Sequence, residues 1–189
     1  LRLAMNFSWI PNAITIARMV MAMPLLWLLV NGHYPQAFWL AVVAGASDAL
    51  DGVIAQRFGW RSVLGGVLDP IADKLLMSVC FLGLWWSWNL PTWLVAVVLT
   101  RDLVIVLGAF FWWRLIGTFT PAPTGISKMT TLLQIVLIAL MLAHLAGMDF
   151  AQSWVPPLVL ATAAMTVTSG GDYVVRYGLR AWRIHRSRQ

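Results

Sequence analysis

Six long apolar runs, separated by short breaks rich in Asn, Gly and Pro, constrain the fold of this chain most strongly. About 20 mostly apolar residues are enough to cross the hydrocarbon core of a bilayer as a helix. Of the 189 residues, 60% are hydrophobic and only 11% are charged, which excludes a soluble globular domain, a disordered chain and a basic nucleic-acid-binding surface. The sequence therefore predicts an all-α polytopic membrane protein with six transmembrane helices, at 13–31, 36–56, 66–87, 92–114, 127–147 and 152–175.

Lys and Arg are distributed unevenly over the breaks between these runs. The connections at 31–36, 88–91 and 148–151 contain neither residue, whereas the opposite ends of the runs carry Arg2, Arg57, Arg61, Arg114, Lys128 and five arginines between positions 176 and 188. Because positive residues mark the cytoplasmic side of a membrane protein, both termini are predicted to be cytoplasmic. The basic segment 176–189 then forms a cytoplasmic tail, which either fixes the topology or lies as a helix on anionic lipid. We expect the membrane to be a bacterial inner membrane.

Four of the seven acidic residues, all of which are Asp, fall within 26 residues. Asp48 and Asp51 are three apart near the inner end of the second predicted helix, and Asp69 and Asp73 are four apart near the inner start of the third. Residues at these spacings share a helix face, so an antiparallel helix pair brings all four carboxylates to one depth. Such carboxylates repel one another and are costly in a membrane, but two divalent cations remove the conflict. The alternative is a set of ion pairs with Arg57, Arg61 and Lys74.

The segment 48–73 resembles the signature of the CDP-alcohol phosphotransferase family, D-x-x-D-G-x-x-A-R-x8-G-x3-D-x3-D. The matching residues are Asp48, Asp51, Gly52, Ala55, Gly65, Asp69 and Asp73. At the family's Arg position this chain has Gln56, with Arg57 directly after it. A second segment, 11–18, resembles the family's P-N-x-x-T-x-x-R opening of the first helix and supplies Asn12, Thr15 and Arg18.

The resemblance implies a single membrane domain over 1–189 and a six-helix enzyme, generally a homodimer. Such an enzyme moves a phosphatidyl or similar group from a CDP-linked donor to an alcohol and releases CMP. The four Asp of the signature would hold two divalent ions, Mg²⁺ or Mn²⁺, and Asp73 would also deprotonate the attacking hydroxyl. The donor would be bound by Asn12, Thr15, Gly52, Ala55, Arg57 and Gly65.

Four basic residues are candidates for binding phosphate or the acceptor: Arg18, Arg61, Arg101 and Lys128. Two of them have alternatives. Arg18 would otherwise extend its side chain to the membrane interface. Arg101 lies deep in the fourth predicted helix, where a charged group needs a partner. That partner is a phosphate or the Asp cluster, or else Arg101 belongs to an internal network with Asp102.

Within the family, the segments 69–74, 100–102 and 124–134 resemble cardiolipin synthases more than phosphatidylglycerophosphate synthases. The expected reaction is therefore transfer from CDP-diacylglycerol to phosphatidylglycerol, giving cardiolipin and CMP. Glycerol-3-phosphate is the alternative acceptor. A cation transporter is the alternative from another class, but transporters place their ion sites near the membrane midplane, whereas these acids lie at helix ends.

Overall fold

The computed structural model describes residues 9–58, 63–116 and 124–186 of the chain. These residues form six α-helices and one short 3-10 helix. The α-helices are α1 (Trp9–Val30), α2 (Tyr34–Phe58), α3 (Val63–Trp86), α4 (Thr92–Ile116), α5 (Gly125–Leu145) and α6 (Val155–Arg186), and the 3-10 helix is Asp149–Trp154. The prediction of six helices is confirmed, and the main difference is that α6 continues well past the predicted end at 175.

Three segments of the described helices are long and apolar enough to cross a membrane: Asn12–Val30, Gly125–Leu145 and Asp149–Arg176. The last of these ends at Arg176, although the helix itself continues to Arg186. The apolar segment therefore ends before the helix does. The cytoplasmic location of both termini stays a prediction.

The chain divides into two compact units. The first contains residues 1–90 and 138–151, and in it α1 packs against both α2 and α3. Leu25 and Leu29 of α1 and Phe81 and Leu84 of α3 are buried in this unit. A Cβ atom at Gly83 would lie 2.8 Å from the Cβ of Leu29, so the two helices pack this closely only because position 83 has no side chain.

The second unit contains residues 91–137 and 152–189, and in it α4 packs against α6. A Cβ atom at Gly108 of α4 would lie 2.8 Å from a ring carbon of Tyr173 on α6. The hydroxyl of Tyr173 donates a hydrogen bond to the carbonyl of Ile105 at 3.2 Å. The glycine thus makes room for the aromatic ring, and the phenol joins the two helices.

Two helix ends carry the glycine expected for a left-handed cap. Gly32 follows α1 with φ +75°, and Gly147 follows α5 with φ +94°. In both caps the glycine amide donates to the carbonyl three residues earlier, and the next amide donates to the carbonyl five residues earlier, at distances of 2.9 to 3.3 Å. This is the Schellman arrangement, which satisfies the last carbonyls of a helix.

The end of α3 has the same cap with a tryptophan in the glycine position. Trp88 has φ +61°, its amide donates to Trp85, and the amide of Asn89 donates to Leu84, both at 2.9 Å. The Asn89 side chain also donates to the Tyr34 hydroxyl at 2.9 Å, which ties this turn to the start of α2. The Trp88 residue is 91% exposed. Its left-handed backbone is therefore unfavourable and is not offset by packing of its own side chain.

We expect Trp88→Gly to stabilise the protein by about 1 kcal/mol, because glycine adopts a positive φ without a Cβ clash. Trp88→Ala is the matched control, since it removes the indole and keeps the Cβ atom. Thermal unfolding of the purified protein in detergent measures both. Equal melting temperatures for the two variants would show that the Trp88 backbone is not strained.

Candidate active site

Arg18 of α1 lies at the centre of the acidic cluster. Its side chain is fully buried. One guanidinium nitrogen, Nη1, donates to Asp73 at 2.9 Å and also pairs with Asp48. The structure therefore brings Asp48 of α2 and Asp73 of α3 onto the same nitrogen of α1. In the described contacts Arg18 compensates carboxylates, and its predicted contact with a phosphate stays a prediction.

Thr15 makes a second link between α1 and the cluster, one turn away from Arg18. It is buried, and its hydroxyl donates to Asp69 at 2.6 Å. Thr15 and Arg18 are three residues apart on α1, and their partners Asp69 and Asp73 are four apart on α3. Both spacings correspond to about one helical turn, so the two contacts form successive links between the helices.

The remaining residues predicted for this site are only partly described. Asn12 lies half-buried on α1. Other predicted residues belong to α2 or α3, but their side chains lie outside the described part of the structure: Asp51, Gly52, Ala55, Arg57 and Gly65. Arg61 lies wholly outside the described residues.

The donor atoms of the cluster suit a hard divalent cation. The side chains of Asp48 and Asp73 are 44% and 52% exposed, so both carboxylates are accessible although their shared partner is buried. Carboxylate oxygens are the ligands that Mg²⁺ and Mn²⁺ prefer. Among the described side chains, no three acidic, His or Cys groups converge into a ready metal site. Asp51, the fourth carboxylate of the motif, is not among them.

Arg101 of α4 belongs to a separate buried network in the second unit. Its guanidinium donates to Asp102 at 2.8 Å, to the Ser127 hydroxyl of α5 at 2.7 Å and to the Ser169 hydroxyl of α6 at 2.9 Å. The internal network that the sequence offered as the alternative for Arg101 is therefore present. Contact with a phosphate stays a prediction.

The two serine partners of Arg101 were not predicted. The position of Arg101 deep in an apolar helix does indicate such partners, because a buried arginine needs hydrogen-bond acceptors on the helices around it. Ser169 is followed by Gly170, where a Cβ atom would lie 3.5 Å from the Arg101 side chain. Ser169 and Gly170 of α6 are both small, and together they leave room for the side chain of Arg101.

Lys128 lies exposed in the first turn of α5. It borders a cleft of about 340 Å³, together with four other residues of the same helix: Ser127, Thr131, Leu132 and Ile135. The predicted contact of Lys128 with an anionic group is compatible with this exposure.

We expect Arg18→Gln to lower stability by about 2 kcal/mol when no divalent ion is added, because Asp48 and Asp73 lose their shared positive partner. The effect should be smaller than for a fully buried pair, since both carboxylates are half exposed. Arg176→Gln is the matched control: its pair with Asp172 at 2.5 Å has an exposed arginine, so its loss should change stability by at most about 0.5 kcal/mol. Thermal unfolding in detergent measures both, and equal effects would contradict a structural role for buried Arg18.

Comparison with known proteins gives the family of this chain. Residues 8–168 match the CDP-alcohol phosphatidyltransferase family. A chloroplastic CDP-diacylglycerol–glycerol-3-phosphate 3-phosphatidyltransferase 1 from Oryza sativa subsp. japonica is 32% identical over 91% of this chain and 58% of its own length. The cardiolipin synthase (CMP-forming) of Homo sapiens is 29% identical over 93% of this chain and 63% of its own length.

A third relative is covered more completely. The probable phosphatidylglycerophosphate synthase of Mycobacterium tuberculosis is 33% identical over 87% of this chain and 79% of its own length. The chain thus spans about three fifths of the rice and human relatives and about four fifths of the mycobacterial one. The family match covers most of the chain and includes the acidic cluster described above, and on this evidence the chain belongs to the CDP-alcohol phosphatidyltransferase family.

Proposed function

We propose that this protein is a membrane phosphatidyltransferase that uses CDP-diacylglycerol as donor and releases CMP. The observation that carries the proposal is the contact of Arg18 with both Asp48 and Asp73. Two helices present carboxylates at the positions of the family signature, and a third helix holds them together. A transporter is disfavoured, since the family match covers residues 8–168 and names a transferase.

We propose phosphatidylglycerol as the acceptor, which gives cardiolipin and CMP. This choice rests on the resemblance of segments 69–74, 100–102 and 124–134 to cardiolipin synthases and on the human relative of that name. Glycerol-3-phosphate is the second candidate, because the rice relative is named for that acceptor and the mycobacterial relative is named a phosphatidylglycerophosphate synthase.

Four carboxylates would hold two divalent ions, Mg²⁺ or Mn²⁺: Asp48, Asp51, Asp69 and Asp73. When bound, these ions supply positive charge that offsets the diphosphate of the donor and the leaving CMP. Asn12, Thr15, Gly52, Ala55, Arg57 and Gly65 would line the donor site. Since Gln56 replaces the family's arginine, Arg57 is the basic residue assigned to that role.

Asp73 accepts the proton of the acceptor hydroxyl in this proposal. The acceptor oxygen forms a bond to the phosphorus that carries the diacylglycerol group, the bond from that phosphorus to the bridging oxygen breaks, and CMP leaves. Arg18 orients the Asp73 carboxylate through its 2.9 Å bond, and Thr15 orients Asp69 through its 2.6 Å bond. Asp73 can accept this proton because its carboxylate is half exposed and a bound ligand can reach it.

Four basic residues are assigned to phosphate or to the acceptor: Arg18, Arg61, Arg101 and Lys128. Lys128 is exposed and suited to direct contact. Arg101 is buried among Asp102, Ser127 and Ser169, so it acts on a ligand through its charge and through the orientation of the Ser127 hydroxyl. The further parts of the proposal are a homodimer in a bacterial inner membrane, a single domain over 1–189 and a basic tail at 176–189, with the site on the cytoplasmic side.

We expect the purified protein, with CDP-diacylglycerol and Mg²⁺ or Mn²⁺, to release CMP when phosphatidylglycerol is added. Glycerol-3-phosphate, serine and inositol, each offered alone, serve as comparisons. The measurement is CMP formed per minute. Release with glycerol-3-phosphate and none with phosphatidylglycerol would replace the proposed acceptor by the second candidate. If none of these alcohols supports CMP release, the transferase proposal is overturned.

Asp73→Asn should lower CMP release by about 10²–10⁴-fold, because an amide cannot accept the hydroxyl proton. Retention of CDP-diacylglycerol by the variant should stay close to that of the wild type, which separates loss of the base from loss of the donor site. Asp172→Asn on α6 is the control and should keep its activity, since in the described part of the structure Asp172 forms its ion pair with the exposed side chain of Arg176. Near-normal turnover of Asp73→Asn would exclude the general-base role.

A further inference from the structure

The buried face of α6 consists of hydroxyl residues at every position between 155 and 176 that is fully buried. These residues are Thr162, Thr166 and Ser169, each at most 3% exposed, and their spacings of four and three place them on one helix face. The facing helix α5 has two buried polar residues, Thr130 and Gln134, which are 0% and 2% exposed. All five belong to the second unit, and together they form a buried polar row between α5 and α6.

Hydrogen bonds fix the register of the two helices. The Ser127 hydroxyl of α5 and the Ser169 hydroxyl of α6 accept from the same guanidinium, that of Arg101, at 2.7 and 2.9 Å. One turn further along α5, the Thr130 hydroxyl donates to the Met165 carbonyl of α6 at 3.1 Å. Residue numbers therefore rise along α5 as they fall along α6, so the two helices are antiparallel.

This register places Gln134 opposite Thr162. Gln134 follows Thr130 by four residues on α5, and Thr162 precedes Thr166 by four residues on α6. Both residues thus lie about 6 Å further along the helix axes, on the same faces as the pair that precedes them. Gln134 is the tenth residue of the 21-residue apolar segment Gly125–Leu145, so this level is near the middle of the membrane.

Hydrogen bonding distinguishes this level from the rest of the polar row. The Thr130 hydroxyl bonds the carbonyls of Ile126 and Met165, and the Thr166 hydroxyl donates to the Thr162 carbonyl at 2.6 Å. Such hydroxyl residues commonly pack between membrane helices while bonding backbone carbonyls.

The Gln134 Nε2 and Thr162 Oγ1 atoms, in contrast, are buried and have no hydrogen-bond partner within the described part of the chain. It follows that the two atoms do not bond each other. An unsatisfied polar group is costly at this depth, because the hydrocarbon around the helices supplies no hydrogen bond.

The chemistry of the two groups matches a water molecule. The Gln134 Nε2 atom only donates, whereas the Thr162 hydroxyl both donates and accepts. A water oxygen accepts from Nε2, and a water proton is donated to Oγ1; buried waters in proteins make about three bonds of this kind. A cation does not suit the amide protons, and a lipid has no access because Gln134 and Thr162 are 2% and 0% exposed.

We propose that Gln134 and Thr162 bind one water molecule between α5 and α6, near the middle of the membrane. The water joins the helices at the level where the two side chains do not bond each other. Since Gln134 shares its face with Ser127, seven residues earlier, the rotation of α5 against α6 is fixed at both levels. The water site is independent of the reaction proposed above.

The test detects the water directly by NMR of the full chain in detergent micelles, labelled with [¹⁵N]glutamine. The chain has five glutamines, so the side-chain amides give few signals, and the Gln134 pair is the one that Gln134→Met removes. A rotating-frame Overhauser experiment should show a direct transfer from water to the Gln134 amide protons. Thr162→Val should abolish this transfer and Thr162→Ser should keep it, because serine retains the hydroxyl.

The remaining glutamine signals report whether each variant is folded. Thr168→Val is the matched control, since the Thr168 hydroxyl is exposed and bonds the Ala164 carbonyl at 2.7 Å, and this variant should leave the transfer unchanged. Absence of the transfer in the wild type, or its persistence in Thr162→Val, would show that the two side chains hold no water.

A double-mutant cycle gives a second, independent readout. Gln134→Met and Thr162→Val should each lower the melting temperature by about 2–4 °C, because each leaves the other polar group buried without its bridge. The double variant should be no less stable than either single variant, since it leaves no unsatisfied group at this level. Additive losses would mean that the two side chains act independently, which contradicts a shared water.

Discussion

The ion pair of Arg18 with Asp48 and Asp73 is the interaction on which the arrangement of α1, α2 and α3 depends. A buried guanidinium is costly unless carboxylates compensate it, and two carboxylates from neighbouring helices repel each other unless a cation lies between them. The two carboxylates thus offset the cost of burying the guanidinium, and the guanidinium offsets the repulsion between the carboxylates. The first helix is consequently fixed relative to the acidic motif in both rotation and depth.

The same contact offsets part of the charge repulsion within the acidic cluster. Arg18 offsets part of the negative charge, and Thr15 satisfies Asp69 one turn away. Because the exposed faces of Asp48 and Asp73 stay accessible, the carboxylates are positioned in advance for the divalent ions of the proposed reaction. Positioning of this kind lowers the ordering cost that a ligand must otherwise overcome on binding.

The sequence was informative wherever the membrane leaves the backbone few choices. In lipid every peptide group must be bonded internally, so long apolar runs become helices and the breaks at Asn31–Gly32 and Asn89–Pro91 become turns. Spacing also placed Asp69 and Asp73 on one face of α3, where both contact α1. It did not give the partner of Arg18, because periodicity identifies a face of a helix and not the atoms of another helix that meet it.

Two further features were missed or only partly predicted, each for a local reason. The cap at Trp88 contradicts residue preference, since a large side chain takes the left-handed position that Gly32 and Gly147 occupy elsewhere. The continuation of α6 to Arg186 was predicted only as one of two alternatives for the basic tail, because the apolar pattern ends near Arg176. Hydropathy registers the environment of a helix, whereas hydrogen bonding continues into a polar segment that favours helix.

Each unit contains one cluster of charged side chains among the described residues, and the two clusters differ in sign. The cluster in the first unit has three described carboxylates, Asp48, Asp69 and Asp73, against Arg18 and the neighbouring Lys74, and it is net negative. The network in the second unit has Arg101 and Lys128 against Asp102, and it is net positive. Transfer from a CDP-linked donor to an anionic acceptor requires both kinds of site, one for cations that offset the diphosphate and one for the acceptor's own negative charge. The signs of the two clusters therefore agree with the proposed transfer between two anionic substrates.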